Sequence, residues 1–128
     1  MLDTRSREVR RVPLPEVGPE PAMCQRAEPN TPTHGVALTP DDKELWVTSL
    51  NNGSVYVYDI ARQKFSGPIH TGACPNWISI SPGGEYVTVS NSGQNTVAII
   101  DAKAEKVVAS DTVGERPKRL LVIDVPPS

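Results

Sequence analysis

A segment of this chain repeats itself at a constant distance. His34 to Ile80 overlays Asn76 to Val122 at a shift of 42 residues (76 − 34) without a gap. The shift pairs Pro40 with Pro82, Val47 with Val89, Val55 with Val97, Asp59 with Asp101, Lys64 with Lys106, Gly72 with Gly114 and Pro75 with Pro117. Few identities survive, but apolar and polar character is kept through each short run, as a unit must that stacks the same surface on its neighbour. The runs themselves read as strands. Val36–Leu38, Leu45–Thr48 and Ser54–Tyr58 are rich in β-branched and aromatic residues and are separated by Thr39-Pro40-Asp41-Asp42 and Leu50-Asn51-Asn52-Gly53. A more polar fourth strand, 64–69, suits the edge of a sheet. The second copy reads as 77–80, 86–90, 96–100 and 106–111, with turns at Pro82-Gly83-Gly84 and Gly93-Gln94-Asn95. Nine glycines and thirteen prolines interrupt nearly every stretch of ten, so no window sustains a helical apolar period.

Four strands per copy at a period near forty predict an all-β fold, two four-stranded antiparallel blades of a β-propeller with an extra strand at each end. The expected organisation is an outer strand of a preceding incomplete blade (1–12), a Pro-rich loop (13–33), a first blade (34–72), a second blade (73–114), the first strand of a further blade (115–125) and a tail (126–128). Asp3 to Val12 supports the first of these by its likeness to Asp101–Val108, and Arg119–Val122 supports the last by matching a first strand. Two blades and two single strands do not close a ring, so a truncated product, an expression fragment or a protomer of an assembled ring is expected.

The residues 39–49 (TPDDKELWVTS) and 81–91 (SPGGEYVTVSN), with Asn95–Asp101 and Val113–Pro117, resemble the linked motifs of YVTN-type β-propeller repeats. The resemblance covers about Pro32 to Val125. It implies a binding scaffold, often exported, or membership of a wider group that includes lactonase-like hydrolases and cofactor-linked oxidoreductases. A non-catalytic scaffold is the expectation, with a fragment or subunit of such an enzyme as the alternative.

Composition narrows the partners. A net charge of -2, with 13 Lys and Arg scattered among 15 acids, provides no basic field for nucleic acid. No apolar run approaches the roughly 18 residues of a membrane span. Met1–Arg5 is not a signal peptide, so the chain as written reads as cytoplasmic while the resemblance implies the periplasm or exterior; the compartment is unknown.

The connections at one end of the blades gather the polar residues, and the ligand-binding candidates are His34, Asn51, Asn52, His70, Asn76, Gln94, Asn95 and Lys118. His34, Asn76 and Lys118 occupy equivalent repeat positions. His70 and Cys74, with His34, Met23 and Cys24, form the only metal candidate. Its spacing across a glycine loop favours a solvated His and a packed Cys, so neither a metal nor another cofactor is expected. In an exported chain Cys24 and Cys74, both in connections near one end, suit a disulfide better than a metal, and their pairing stays open. Asp59 and Asp101 are expected to bind turn backbone rather than catalyse. Trp46 and Trp77 are expected to pack between blades. Val36, Leu38, Leu45 and Val47 at one end, and Ile78, Ile80, Val87 and Val89 at the other, are expected to include residues that face an absent blade and drive self-association.

Overall fold

Each β-branched run between turn formers is a strand in the computed structural model, which describes residues 1–15, 18–24 and 32–128. The strands are β1 (Thr33–Leu38), β2 (Glu44–Ser49), β3 (Ser54–Asp59), β4 (Lys64–His70), β5 (Pro75–Ile80), β6 (Tyr86–Asn91), β7 (Thr96–Asp101) and β8 (Lys106–Thr112). They form two four-stranded sheets, β1-β2-β3-β4 and β5-β6-β7-β8, in which every neighbouring pair is antiparallel. The only described helical residues are one 3-10 turn, Ala22–Cys24.

Register decides which side chains meet. Trp46 pairs with Ala37 and Val57, and Val89 pairs with Ile78 and Ala98. Strand side chains alternate, so Trp46, Val55 and Val57 leave the first sheet on the side where Ile78, Val87, Val89 and Ile100 leave the second. These residues, with Ile69, form one buried core between the blades. Ile78, Ile80, Val87 and Val89 therefore do not face an absent blade, as expected above, but pack on the first blade. The face of the second blade turned away from the core instead carries Trp77, Tyr86, Thr88, Val97 and Ile99. Val36 and Leu38 do point away from the core and are exposed, whereas Val47 beside them is buried. The outer strands β4 and β8 are largely exposed, in keeping with their polar sequences.

The repeat extends to backbone conformation. Positive φ falls at Asp42 and Gly84, Gly53 and Asn95, Gln63 and Glu105, and Cys74 and Arg116, each pair 42 apart. Left-handed backbone costs an ordinary residue about 1–2 kcal/mol, so its recurrence at residues of different chemistry marks turns that the sheets impose. The β1 and β5 strands approach so closely that a Cβ on Gly35 would lie 2.8 Å from the Asn76 carbonyl oxygen and 3.1 Å from the Trp77 Cα.

The terminal segments are held by side chains rather than by a ladder. The strand expected at 1–12 supplies one isolated bridge, Leu2 to Val9, and the one expected at 115–125 is not laddered. Arg10 donates to the Tyr58 hydroxyl at 2.9 Å and to Gln63 Oε1 at 2.7 Å, which lays the first segment over the outward face of the first blade. A cleft of about 1030 Å³ lined by Val9, Val12, Leu14, Val47 and Phe65 remains between them. At the other end the Ser90 hydroxyl donates to the Lys118 carbonyl at 2.6 Å, and the Val122 N–H donates to Ser79 Oγ at 3.2 Å.

Candidate functional site

Antiparallel order sends the β2–β3, β4–β5 and β6–β7 connections to one end of the sheets, here the near end. All eight candidate residues lie there, but most of them bind the chain itself. Asn51 Nδ2 donates to the Gly18 carbonyl at 2.7 Å, and Asn52 Nδ2 to the Tyr56 hydroxyl at 2.8 Å. Gln94 Oε1 accepts the Ala73 N–H at 3.1 Å, and Asn95 Oδ1 accepts the Arg116 N–H at 3.0 Å. Asn95 also takes the left-handed position that Gly53 takes in the first blade, where Asn is the best-tolerated substitute for glycine. Asn76 is buried, and its Nδ2 has no hydrogen-bond partner among the described residues. Asn91, which the sequence reading passed over, is the central strut: it accepts from the Thr71 hydroxyl and donates to the Thr71 carbonyl and Thr96 Oγ1. His34, His70, Gln94 and Lys118 are the exposed members of the set.

His70 Nδ1 lies 2.8 Å from Ser54 Oγ, a spacing that invites comparison with a serine nucleophile and its base. Ser54 has no exposed surface, and its hydroxyl donates to the Asn52 carbonyl at 3.1 Å. The imidazole N–H is then the donor to Ser54 Oγ, which makes the pair a clip between β3 and β4.

Cys24 and Cys74 are joined in a disulfide that ties the 3-10 turn to the β4–β5 connection. Both are buried with Leu50 in a small apolar cluster at the near end. Gly93 packs so tightly on the Cys74 sulfur that a Cβ there would collide with it. No group of three metal-binding side chains converges among the described residues.

Trp46 is fully buried between the blades, whereas Trp77 lies outside that buried core. It is half-buried on the opposite face of its sheet, with the Arg119 guanidinium 5.7 Å from its ring centroid and the His34 ring edge-on at 6.3 Å. Sequence reasoning missed this group, although the 42-residue shift carries Trp77 onto Arg119.

The opposite, far end is acidic. A cleft of about 400 Å³ between the blades is lined by Thr39, Asp41, Glu44, Gly84, Lys103 and Glu105. Its carboxylates already accept hydrogen bonds. Asp41 Oδ1 accepts from the Thr39 hydroxyl at 2.7 Å and from the Lys43 N–H at 3.1 Å, and these bonds hold its carboxyl below the usual range. Glu44 Oε2 accepts the Trp46 indole N–H, and Glu105 Oε1 accepts the Ser66 hydroxyl across the blade boundary. Asp59 and Asp101 accept the Arg62 and Ala104 N–H groups, both at 2.8 Å. Asp3 makes the same kind of turn, accepting from Arg5 and Ser6.

Two stacked four-stranded antiparallel sheets built on one repeat define β-propeller blades. Solved propellers are similar to this chain. Hydrazine synthase of Kuenenia stuttgartiensis superposes with a TM-score of 0.68 over 90% of this chain and 30% of its own, at 17% identity. Apo AztD from Citrobacter koseri gives 0.61 over 70% of this chain and 26% of its own, at 14% identity. The RRP9 WD40 repeats give 0.56 over 66% and 26%, at 18% identity. The chain thus spans about a third or less of each neighbour, and the likeness is one of fold. No known family profile and no curated protein matches the sequence.

Proposed function

We propose that this chain is a pair of YVTN-type propeller blades acting as a non-catalytic scaffold that binds its ligand or partner protein at the near end. What supports the reading is the division of labour among the near-end residues. Asn51, Asn52, Gln94, Asn95 and Asn91 hold the connections in place and His70 clips β3 to β4, so the exposed His34, His70 and Lys118 stand on a rigid rim. A rigid rim lowers the entropy cost of binding. The hydroxyl nearest an imidazole, Ser54, is buried and spent on the Asn52 carbonyl. The Cys24–Cys74 pairing suits an oxidising compartment, the periplasm or the cell exterior. The test is a panel of lactones and aryl esters assayed with the wild type, His34→Ala and His70→Ala. Rates equal to buffer for all three support a scaffold. Turnover that disappears in His34→Ala, with the fold retained by circular dichroism, replaces it with a lactonase-like enzyme.

A further inference from the structure

The inner strands β1 and β5 and the C-terminal segment bring together three side chains of complementary chemistry. Resting on the reading of the near end as a binding rim, we propose that His34, Trp77 and Arg119 form a recognition site for an organic carboxylate with a flat, apolar body. Gly35, Trp77 and Arg119 stand at one repeat position in three successive units (35, 77, 119). Equivalent positions in successive blades are arranged around one axis, which here brings Trp77 and Arg119 side by side.

Each part is held in place. The main chain of Trp77 is fixed by its N–H bond to Ser90 Oγ at 3.1 Å. The same Ser90 hydroxyl donates to the Lys118 carbonyl, and Ser79 Oγ receives the Val122 N–H, so Arg119 is bracketed on both sides. Gly35 has no Cβ to strike the Asn76 carbonyl, and this lets β1 carry His34 up to the Trp77 ring.

The unmet chemistry is that of an anion. Arg119 sits over the indole, an arrangement that leaves the guanidinium N–H donors for another partner. Among the described residues no carboxylate pairs with Arg119 or with the exposed Lys118 beside it. A guanidinium fork matches a carboxylate, and the rings of Trp77 and His34 offer apolar surface next to it. A bare inorganic anion would use only the first of these.

The experiment follows the two indole N–H signals of the 15N-labelled full chain, with Trp77→Phe assigning them. Benzoate is the probe, with benzamide and inorganic phosphate as comparisons. The Trp77 signal should shift saturably with benzoate while the buried Trp46 signal stays still and reports an intact fold. Arg119→Gln should weaken the benzoate response about tenfold or more, the loss of a charge-assisted bond. A motionless Trp77 signal, an equal response to benzamide, phosphate binding as tight as benzoate, or unchanged binding in Arg119→Gln would each overturn the site. Failure of the scaffold reading is distinguishable, because it appears as turnover in the ester and lactone panel whether or not benzoate binds.

Discussion

Single positions carry the close approach of the blades, and Gly35 is the sharpest case. A methyl group there meets the backbone of Asn76, Trp77 and Ile78 rather than a yielding side chain, so the two inner strands would have to separate. Gly35→Ala should cost about 2 kcal/mol or more, in the range of overpacked cores, and chemical denaturation with an unchanged m-value checks it. Asp41 makes a different kind of contribution. The Thr39 hydroxyl, then the Lys43 N–H, lower its folded pKa below the unfolded value of about 3.9, so it stabilises the fold above that value and the gain is lost as pH falls through the lower, folded pKa. Asp41→Ala should therefore flatten the acid limb of a stability-against-pH curve; an acid limb as steep as the wild type would show that other carboxylates govern it. Neither role was legible beforehand. A glycine that follows an exposed histidine gives no hint of which backbone crosses it, and Asp41 reads as a turn former without its hydroxyl partner.

The strands, by contrast, were legible almost residue by residue, because the 42-residue shift doubles every weak local signal. The runs at 54–58 and 96–100 match β3 and β7 to within one residue. The direction in which a strand faces was not legible. Alternation separates odd from even positions, but in a blade covered on both sides both sets are apolar, and nothing in the pattern says which set meets the preceding neighbour. That ambiguity sent Ile78, Ile80, Val87 and Val89 to the wrong side and hid Trp77 beneath Arg119. At the near end, the connections between strands are braced by a covalent tie. Cys24 and Cys74 are 50 residues apart, and a crosslink closing a loop of that length restricts the unfolded chain by an amount worth typically about 2–4 kcal/mol. Reductant, or Cys24→Ala with Cys74→Ala, should lower the unfolding free energy by that amount while leaving the β-sheet circular dichroism intact. A midpoint that does not move on verified reduction would show that the tie is stability-neutral.

Across the whole molecule the covered and uncovered faces of the two blades decide behaviour in solution. The core between the blades is closed, but each sheet has a second apolar face that, among the described residues, meets a terminal segment. On the first blade the N-terminal segment is fixed through Arg10 to Tyr58 and Gln63, yet Val36 remains 57% and Leu38 47% exposed. On the second, Tyr86 is 49% exposed, and the tail that crosses this face shows Leu121 at 80% and Ile123 at 64%. Full burial of a large apolar side chain is worth roughly 1.5–3 kcal/mol, so covering a few of these residues rivals the roughly 5–15 kcal/mol that holds a small domain together. A second copy can provide that cover, because the two open faces are of the same chemistry and the inner and outer strands β1, β4, β5 and β8 leave edges available for pairing. The chain is therefore expected to self-associate, with an unfolding midpoint that rises with concentration as linkage requires. Light scattering after size exclusion, across a wide dilution series, reads the association directly. Leu38→Lys combined with Leu121→Lys places a charge on each open face and should shift the population toward monomer without moving the Trp46 core signal. A wild type that stays monomeric throughout, with a midpoint independent of concentration, would mean that the terminal segments already satisfy both faces.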